Sequence, residues 1–410
     1  MPVQEAPVVI VGAGAAGLTA ARVLKAARRR VLVLERSAAL GGRLKTSRVG
    51  SHQFDHGFQV LLTAYPAVKR HLDLSALKVK PFRPGAHLLL PGGKRETLGD
   101  PLRDPRSLWS TLTASTASFE DRFRLLRLLR FVRQRSCSQL FEVEECSTDD
   151  YLRQWGFGES FRNNFFRPFY GGIFLERALE TSNRMFLFTF KMFAEGDAVL
   201  PEGGIQAVAQ QLAQGLDEEE LKLNSEVIGL SAKHVSMADG TRIDAAAVID
   251  ARSPAPAVEH WLDTINVYFS VPKSQLPAKL ITLVPGGCPV NNVAVVSAVQ
   301  PSYARRDMLV SVTLFAPLGK SREYYVDEVR KSLRPWLGAE LVAWEAVHHV
   351  EVRRALPFSQ HVAWTCNPTE LLSEEGLWCA GDHVLGPSLQ QAMHAGQLAA
   401  AGVIEAHSAA

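Results

Sequence analysis

Three glycines near the start of the chain have the spacing of a phosphate-binding turn. Gly12, Gly14 and Gly17 form a G-x-G-x-x-G pattern that directly follows the apolar run Val8–Val11, which predicts a strand. Gly12 permits a tight turn, Gly14 lets the backbone approach a pyrophosphate, and Gly17 lets the following helix pack close to the strand. The N-terminus of that helix would present unpaired N–H groups and a positive dipole end to the phosphates.

The acid that such a site needs follows the second apolar run. Residues 18–30 have a helix-forming composition, residues 31–34 are apolar, and Glu35 comes next. A carboxylate there can accept hydrogen bonds from both hydroxyls of an adenosine ribose, and it disfavours a 2′-phosphate. The order and spacing therefore predict a βαβ unit that binds a dinucleotide. The alternative is a glycine-rich turn that binds nothing.

Two further motifs indicate which dinucleotide to expect. Arg36 follows Glu35, the turn Gly41-Gly42-Arg43 comes shortly after, and residues 54–59 read Phe-Asp-His-Gly-Phe-Gln. Both segments resemble the flavin amine oxidase superfamily, which also holds protoporphyrinogen oxidases and phytoene-desaturase-like enzymes. The resemblance implies that the glycine turn lies on the diphosphate of FAD and that residues 54–59 pass beside the isoalloxazine ring.

The C-terminal part of the chain extends the same resemblance. A predicted strand ends at Gly381-Asp382, and a helix rich in small residues follows. The resemblance implies that Asp382 bonds the ribityl chain, that the helix N-terminus faces the N1–O2 edge of the flavin, and that Val227 touches the adenine side. The cofactor residues expected in all are Gly12, Gly14, Ala15, Ala16, Gly17, Glu35, Arg36, Gly42, Arg43, Gly57, Phe58, Gln59, Val227, Gly381, Asp382, Leu389, Gln390 and Ala392.

The composition is that of a soluble globular protein. The chain has 410 residues, of which 47% are hydrophobic and 21% charged, and its net charge of +3 is too small to indicate nucleic acid. Five scattered cysteines without CxxC spacing indicate neither a disulfide framework nor a metal site, and they fit a reducing cytoplasm. Met1–Pro7 contains no signal-peptide core, and no run of 18 uncharged apolar residues exists. We therefore expect a cytoplasmic protein.

The pattern along the chain predicts an α/β fold. We expect a discontinuous, Rossmann-like FAD-binding domain formed by residues 1–62, 200–254 and 358–410. A substrate domain of antiparallel sheet plus helices would occupy residues 63–199 and 255–357. Short β-rich segments bounded by Pro, Gly and Asn predict its sheet, at residues 267–271, 280–284, 293–299 and 309–315.

Candidate substrate residues lie in two places. Residues 161–174 are dense in aromatic side chains, which suit either a helical core or the wall of an apolar cavity; Phe166, Phe169 and Tyr170 are the candidates. His56 lies inside the segment expected beside the flavin. His348 and His349 are adjacent, so a strand would point them to opposite faces, and we expect no shared metal site.

The predicted helix 121–135 has a leucine stripe on one side and arginines around the rest. It is interpreted either as a surface helix packed through its leucine face or as an interfacial helix that docks on anionic lipid. The second interpretation would make the protein peripheral to a membrane.

The expected reaction is hydride transfer from a substrate C–H to flavin N5, with reoxidation by O2 or another acceptor. We favour an apolar, isoprenoid- or polyene-like substrate, because Ser388 stands where the amine oxidases carry a cage aromatic and Gln391 replaces a usual glycine. An amine or amino-acid oxidase is the alternative; it would need an aromatic cage or an arginine such as Arg167, Arg353 or Arg354. A non-catalytic flavin protein is the third.

No catalytic base is identified, and hydride abstraction from an activated C–H does not require one. Cys366 is the nearest candidate for covalent flavin attachment, but its spacing does not match, so we expect non-covalent FAD.

Overall fold

The computed structural model describes residues 6–100, 103–104, 108–252 and 260–408. The expected domain boundary between residues 254 and 255 and most of the N-terminal segment Met1–Pro7 lie outside the described residues.

The strands and helices follow one another along the whole chain. The strands are β1 Val8–Val11, β2 Val31–Leu34, β3 Thr46–Val49, β4 His52–Asp55, β5 Leu61–Leu62, β6 Lys80–Pro81, β7 Gly85–Leu90, β8 Lys94–Gly99, β9 Ala198–Leu200, β10 Leu221–Lys222, β11 Val227–Ser231, β12 His234–Met237, β13 Arg242–Asp244, β14 Ala247–Asp250, β15 Trp261–Val271, β16 Ile281–Leu283, β17 Val290–Val295, β18 Met308–Leu314, β19 Glu345–Pro357 and β20 Trp378–Cys379. The helices are α1 Ala15–Ala26, α2 Pro66–His71, α3 Leu108–Thr113, α4 Phe119–Arg133, α5 Cys137–Phe141, α6 Thr148–Gln154, α7 Glu159–Phe161, α8 Arg167–Phe174, α9 Asn183–Glu195, α10 Gln206–Leu212, α11 Val296–Val299, α12 Arg322–Leu337, α13 Asp382–Leu385 and α14 Leu389–Ser408.

A parallel sheet of five strands contains the predicted βαβ unit. Its order is β10–β2–β1–β14–β20. Both β1 and β2 are buried along their whole length, and such continuous apolar runs are typical of strands covered on both faces. The βαβ prediction and the α/β fold class are confirmed. A smaller antiparallel sheet, β11–β12–β13, includes a hairpin with Asp239-Gly240 at its turn.

Helices α1 and α14 pack together beside the parallel sheet through a glycine. A Cβ atom on Gly396 of α14 would lie 2.1 Å from the carbonyl oxygen of Ala16 in α1. This close backbone approach joins two helices, one from each end of the sequence, and the first residues of both line the same cavity.

A second, seven-stranded sheet has the order β19–β15–β18–β17–β16–β7–β8. Its pairs are antiparallel except β16–β7, which is parallel, so the predicted antiparallel sheet is confirmed with one exception. The predicted strand 293–299 is wrong in its second half. The strand β17 ends at Val295 and α11 follows, because the Ser297 hydroxyl accepts the Leu309 N–H at 2.8 Å in place of a ladder bond.

The two faces of this sheet have different neighbours. Helix α12 packs on one face together with Val267 and Phe269, whereas Tyr268 points to the other face and packs with Phe54. His348 stacks on Phe54 with ring centroids 4.6 Å apart, and His349 contacts Tyr325 of α12. The two histidines therefore do lie on opposite faces.

The predicted helix 121–135 is observed as α4, two residues earlier. Ser118 and Asp121 form a reciprocal capping box that fixes its first turn. Leu128 and Val132 are buried, and Lys191 of α9 donates to the Val132 carbonyl at 3.0 Å. Among the described residues, no helix is long and apolar enough to cross a bilayer.

Candidate cofactor and active site

The glycine turn after β1 has the geometry that the pattern predicts. Gly12 has φ +109°, and a Cβ there would lie 3.1 Å from the Ala251 carbonyl oxygen. A Cβ on Gly17 would lie 2.0 Å from the carbonyl oxygen of Gly12, so only glycine lets α1 approach the strand this closely. A Cβ on Gly14 would meet nothing within 4 Å. The turn is thus closed on the protein side and open where a ligand would lie.

Glu35 holds this turn in place. Its carboxylate accepts the Ala13 N–H and the Ser37 N–H, each at 2.9 Å, and the residue is 8% exposed. A carboxylate has about four acceptor positions, so lone pairs remain for ribose hydroxyls.

Arg43 and Asp382 join the two ends of the sequence in a bidentate ion pair. The two hydrogen bonds measure 2.7 and 2.6 Å, and Arg43 also donates to the Ala355 carbonyl at 3.1 Å and lies over the Trp261 ring. Burial disfavours the charged guanidinium, but Asp382 outweighs it and raises the pKa of Arg43. Arg43 is therefore a fixed positive charge.

A cavity of about 960 Å³ runs along these groups. Its lining contains five arginines (Arg36, Arg43, Arg252, Arg353 and Arg354) and three carboxylates (Glu35, Glu226 and Asp382). Two of the arginines are paired, Arg43 with Asp382 and Arg252 with Asp250. Positive charge is in surplus, which suits a diphosphate, and the volume lies within the range of cofactor sites.

All but four of the expected cofactor residues line this cavity. Those that do are Gly12, Gly14, Ala15, Ala16, Glu35, Arg36, Gly42, Arg43, Gln59, Val227, Gly381, Asp382, Leu389 and Ala392. Gly17, Gly57, Phe58 and Gln390 do not: Gly17 faces Gly12, Phe58 packs on Phe82, and the Gln390 side chain accepts the Ala67 N–H at 2.8 Å.

Gly57 lies against the seven-stranded sheet. A Cβ on Gly57 would lie 3.5 Å from the Thr264 side chain and 3.9 Å from that of Val352. The segment 54–59 therefore runs between that sheet and the cavity, which its last residue, Gln59, reaches.

A buried carboxylate anchors the same segment. Asp55 accepts hydrogen bonds from the Thr46 hydroxyl at 2.6 Å, the Tyr303 hydroxyl at 2.5 Å and the Ile205 N–H at 3.0 Å. Burial raises the pKa of Asp55, while these hydrogen bonds oppose the rise. The carboxylate accepts hydrogen bonds from three protein groups, so its function is to hold the segment 54–59 in place.

His56 is half-buried and hydrogen-bonded through Nε2 to the Ser47 hydroxyl at 2.7 Å. Burial, with the nearby charges of Lys45 and His348, lowers the pKa of His56 to about 4. Its imidazole is neutral at neutral pH, and the residue does not line the cavity.

The aromatic candidates divide between core and surface. Phe166 is 0% and Tyr170 is 2% exposed, and both pack on Phe186. Phe169 is partly exposed and stacks on Phe165 with ring centroids 5.5 Å apart. The structure thus places two of the three rings in the core, where they have almost no accessible surface.

The candidate arginines for a substrate carboxylate also differ. Arg167 donates to Asp149 at 2.6 Å and to backbone carbonyls, so its guanidinium is committed to the protein. Arg353 and Arg354 are exposed and line the cavity, and neither guanidinium hydrogen-bonds another described residue. Arg354 has φ +54°, with its N–H held by Asp263 at 2.7 Å.

Several lining residues carry no local sequence signal. The end of β19 contributes Ala355 and Leu356, and the turn after β14 contributes Ala251 and Arg252. Their place depends on long-range strand pairing, which no local pattern reveals. Ser388 also lines the cavity, and its hydroxyl accepts the Gln391 N–H at 3.1 Å at the start of α14.

Comparison with known proteins identifies the family. A family model described as flavin containing amine oxidoreductase matches residues 15–296, which is more than half of the chain. The chain belongs to this family.

Two curated relatives are similar over part of their length. Protoporphyrinogen oxidase 2, chloroplastic/mitochondrial, of Arabidopsis thaliana is 28% identical over 167 residues, 40% of this chain and 32% of that protein. An L-amino-acid oxidase of Crotalus adamanteus is 43% identical over 75 residues, 18% of this chain and 14% of that protein. The matched segments thus span less than a third of either relative.

Solved structures support the fold over the whole chain. An oxidoreductase from Methanosarcina mazei has a TM-score of 0.71 at 17% identity, covering 98% of this chain and 100% of that one. At this identity the likeness concerns the fold alone.

Proposed function

We propose that the cavity holds FAD without a covalent bond. The turn at Gly12 and Gly14 and the N-terminus of α1 would receive the diphosphate, with Arg36 adding positive charge, and Glu35 would accept the ribose hydroxyls. Among the described residues that line the cavity there is neither cysteine nor histidine, the side chains that most readily attach a flavin. The donor set and the open space at Gly14 fit the group.

A flavin held here supplies two-electron oxidation of a substrate C–H bond. The chain's own groups would position the flavin and shield it from water. The Asp55 hydrogen bonds hold the segment 54–59 in place, and the pair between Arg43 and Asp382 fixes the entry to α13. The positive end of α14 stabilises negative charge at its N-terminus.

For the substrate, we propose an uncharged, largely apolar molecule of isoprenoid or polyene type. The observation that carries this proposal is the aliphatic part of the cavity lining, which includes Leu44, Leu356 and Leu389. Among the described lining residues none is aromatic, and one of the three lining carboxylates, Asp382, is paired with Arg43. An amine would find no aromatic cage among these residues.

A second candidate is an amino-acid oxidase, and one observation favours it. Arg353 and Arg354 border the cavity with guanidinium groups that hydrogen-bond no described residue, and such groups recognise carboxylates well. One relative carries the name L-amino-acid oxidase, over a match of 75 residues. The same arginines suit a flavin diphosphate, so a direct test is needed to separate the two roles.

The test is to add candidate substrates to the FAD-loaded protein under anaerobic conditions. Reduction of the flavin is measured as the loss of its absorbance. We expect bleaching by members of an isoprenoid and polyene panel and none by amines or L-amino acids. The double variant R353Q/R354Q, kept at saturating FAD, should bleach with unchanged substrate dependence. R305Q/R306Q, an exposed adjacent pair that does not line the cavity, is the matched control. Bleaching by an L-amino acid that R353Q/R354Q weakens selectively would establish the alternative.

A further inference from the structure

The outward face of α4 exposes large apolar side chains. Phe119 is 81%, Phe123 58% and Leu126 57% exposed. Their spacing of four and three residues places them on one helix face, opposite the buried Leu128 and Val132. The helix therefore has a second apolar face, which is largely exposed in the described structure.

The exposed apolar side chains are concentrated in one part of the sequence. The exposed large hydrophobic side chains of the described residues number ten, and half of them lie between residues 108 and 126. Besides the three on α4 these are Leu108 and Leu112 of α3. Arg122 of α4 donates to the carbonyl of Ala114, the residue that follows α3, at 2.7 Å. Exposed apolar clusters of this kind mark interaction sites.

Basic side chains continue the same face toward the end of α4. Arg127, Arg130 and Arg133 are exposed, and their spacing continues that of the apolar residues. Glu120 is exposed too, whereas Asp121 is buried in the capping box. The face thus combines an apolar first half with a cationic second half.

We propose that this face of α4 docks the protein on an anionic membrane surface. Phe119, Phe123 and Leu126 would enter the boundary between head groups and acyl chains, and the three arginines would contact lipid phosphates. The combination favours lipid over a second copy of the chain. A two-fold dimer through this face would bring six arginines together against two copies of Glu120. The proposal does not depend on the substrate.

The test is co-sedimentation of the FAD-loaded protein with vesicles of phosphatidylcholine alone or with added phosphatidylglycerol. We expect binding to the anionic vesicles, weakened by salt. The variant F119S/F123S/L126S should lose about tenfold or more in affinity. R127Q/R130Q/R133Q should lose about 100-fold at low salt, roughly fivefold per arginine.

Matched controls keep the result specific. I228S/V342S removes two other exposed apolar side chains, and R305Q/R306Q removes two exposed charges elsewhere; both should bind as the parent does. Flavin content and melting temperature verify that each variant folds. The proposal would be overturned if the parent failed to bind anionic vesicles, or if both α4 variants bound them as tightly as the parent does. So would light scattering that shows a dimer which F119S/F123S/L126S converts to a monomer.

Discussion

Gly14 and Gly17 differ in what surrounds an added methyl group, and this makes them a matched pair. In Gly17→Ala the new Cβ meets the Gly12 carbonyl oxygen at 2.0 Å, so α1 must shift. We expect the free energy of unfolding to fall by about 2 kcal/mol. In Gly14→Ala the new Cβ points into open space, and φ −82° with ψ −176° suits alanine, so stability should change little.

The same pair separates folding from cofactor binding. Gly14→Ala should lower the affinity for FAD, because its methyl group occupies the space that the diphosphate needs. Urea unfolding and FAD titration by fluorescence measure the two effects. Unchanged FAD affinity in Gly14→Ala would contradict the placement of the diphosphate.

The ion pair between Arg43 and Asp382 gives a second prediction for single residues. Asp382 is 3% exposed, so Asp382→Asn leaves Arg43 without its counter-charge and should cost about 2 kcal/mol of stability. The control is Asp104→Asn, which loses a more exposed pair with Arg83 and should cost less than about 1 kcal/mol. Chemical denaturation measures both. Equal losses in the two variants would show that the pair between Arg43 and Asp382 contributes no more to stability than the exposed pair does.

Single residues also show what the sequence could predict. The turn geometry expected at Gly12 and Gly17 follows from a pattern that acts locally, and the structure has that geometry. Glu35 lies against the turn, and its contact with a ribose stays a prediction. Phe166 and Tyr170 could not be assigned in this way. Rings crowd all sides of that helical segment, so its composition does not tell which side faces the core.

At the scale of elements, Glu96 of β8 anchors the chain that leads into α4. Its carboxylate accepts N–H and hydroxyl hydrogen bonds from Ser115 and Thr116, and it pairs with Lys94. Burial acts to raise the pKa of Glu96, but the hydrogen bonds from Lys94, Thr116 and Ser115 outweigh it and lower the pKa to about 2. The carboxylate therefore stabilises the fold only while it is ionised.

This anchor makes a pH-dependent prediction. Glu96→Gln should lower the free energy of unfolding by about 2 kcal/mol at neutral pH. The difference from the parent is fully present above the ordinary glutamate pKa of about 4.5 and is lost as the pH falls toward about 2. Urea unfolding at several pH values checks this. A difference that stays constant between pH 7 and about 3.5 would contradict the assigned cause.

Elements were predicted better than their pairing. Alternation and continuous apolar runs locate β1, β2 and α4, because the period of burial is visible in the sequence. The parallel pairing of β16 with β7, and the helical turn of α11, depend on partners far away in the chain. No local pattern contains that information.

At the scale of the whole molecule, the cavity is assembled from distant parts of the chain. The glycine turn comes from the first residues, Val227 from the middle, and Asp382 from the last part. The sequence motifs alone predicted that these three parts of the chain lie together. Leu356 at the end of β19 was not expected in the lining, and Arg353 was expected only as an alternative substrate contact. Strand pairing with β15 carries both to the cavity.

Binding at such an assembled site should stabilise the whole fold. At FAD concentrations about 100 times Kd, the gain is about 2.7 kcal/mol, which raises the melting temperature of a chain of this length by roughly 3 °C. Gly14→Ala should show a smaller rise at the same concentration. Differential scanning calorimetry with and without FAD measures this. An equal rise for the parent and Gly14→Ala would mean that the flavin binds elsewhere.

The most direct test of the central claim is the absorbance spectrum of the purified, FAD-supplemented protein, recorded before and after acid precipitation. We expect flavin bands in the folded protein and flavin released to the supernatant, because the cavity lining offers a diphosphate site and no attachment side chain among the described residues. Flavin that stays with the precipitate would contradict non-covalent binding. A protein without flavin bands after removal of free FAD would contradict the assignment of the cavity itself.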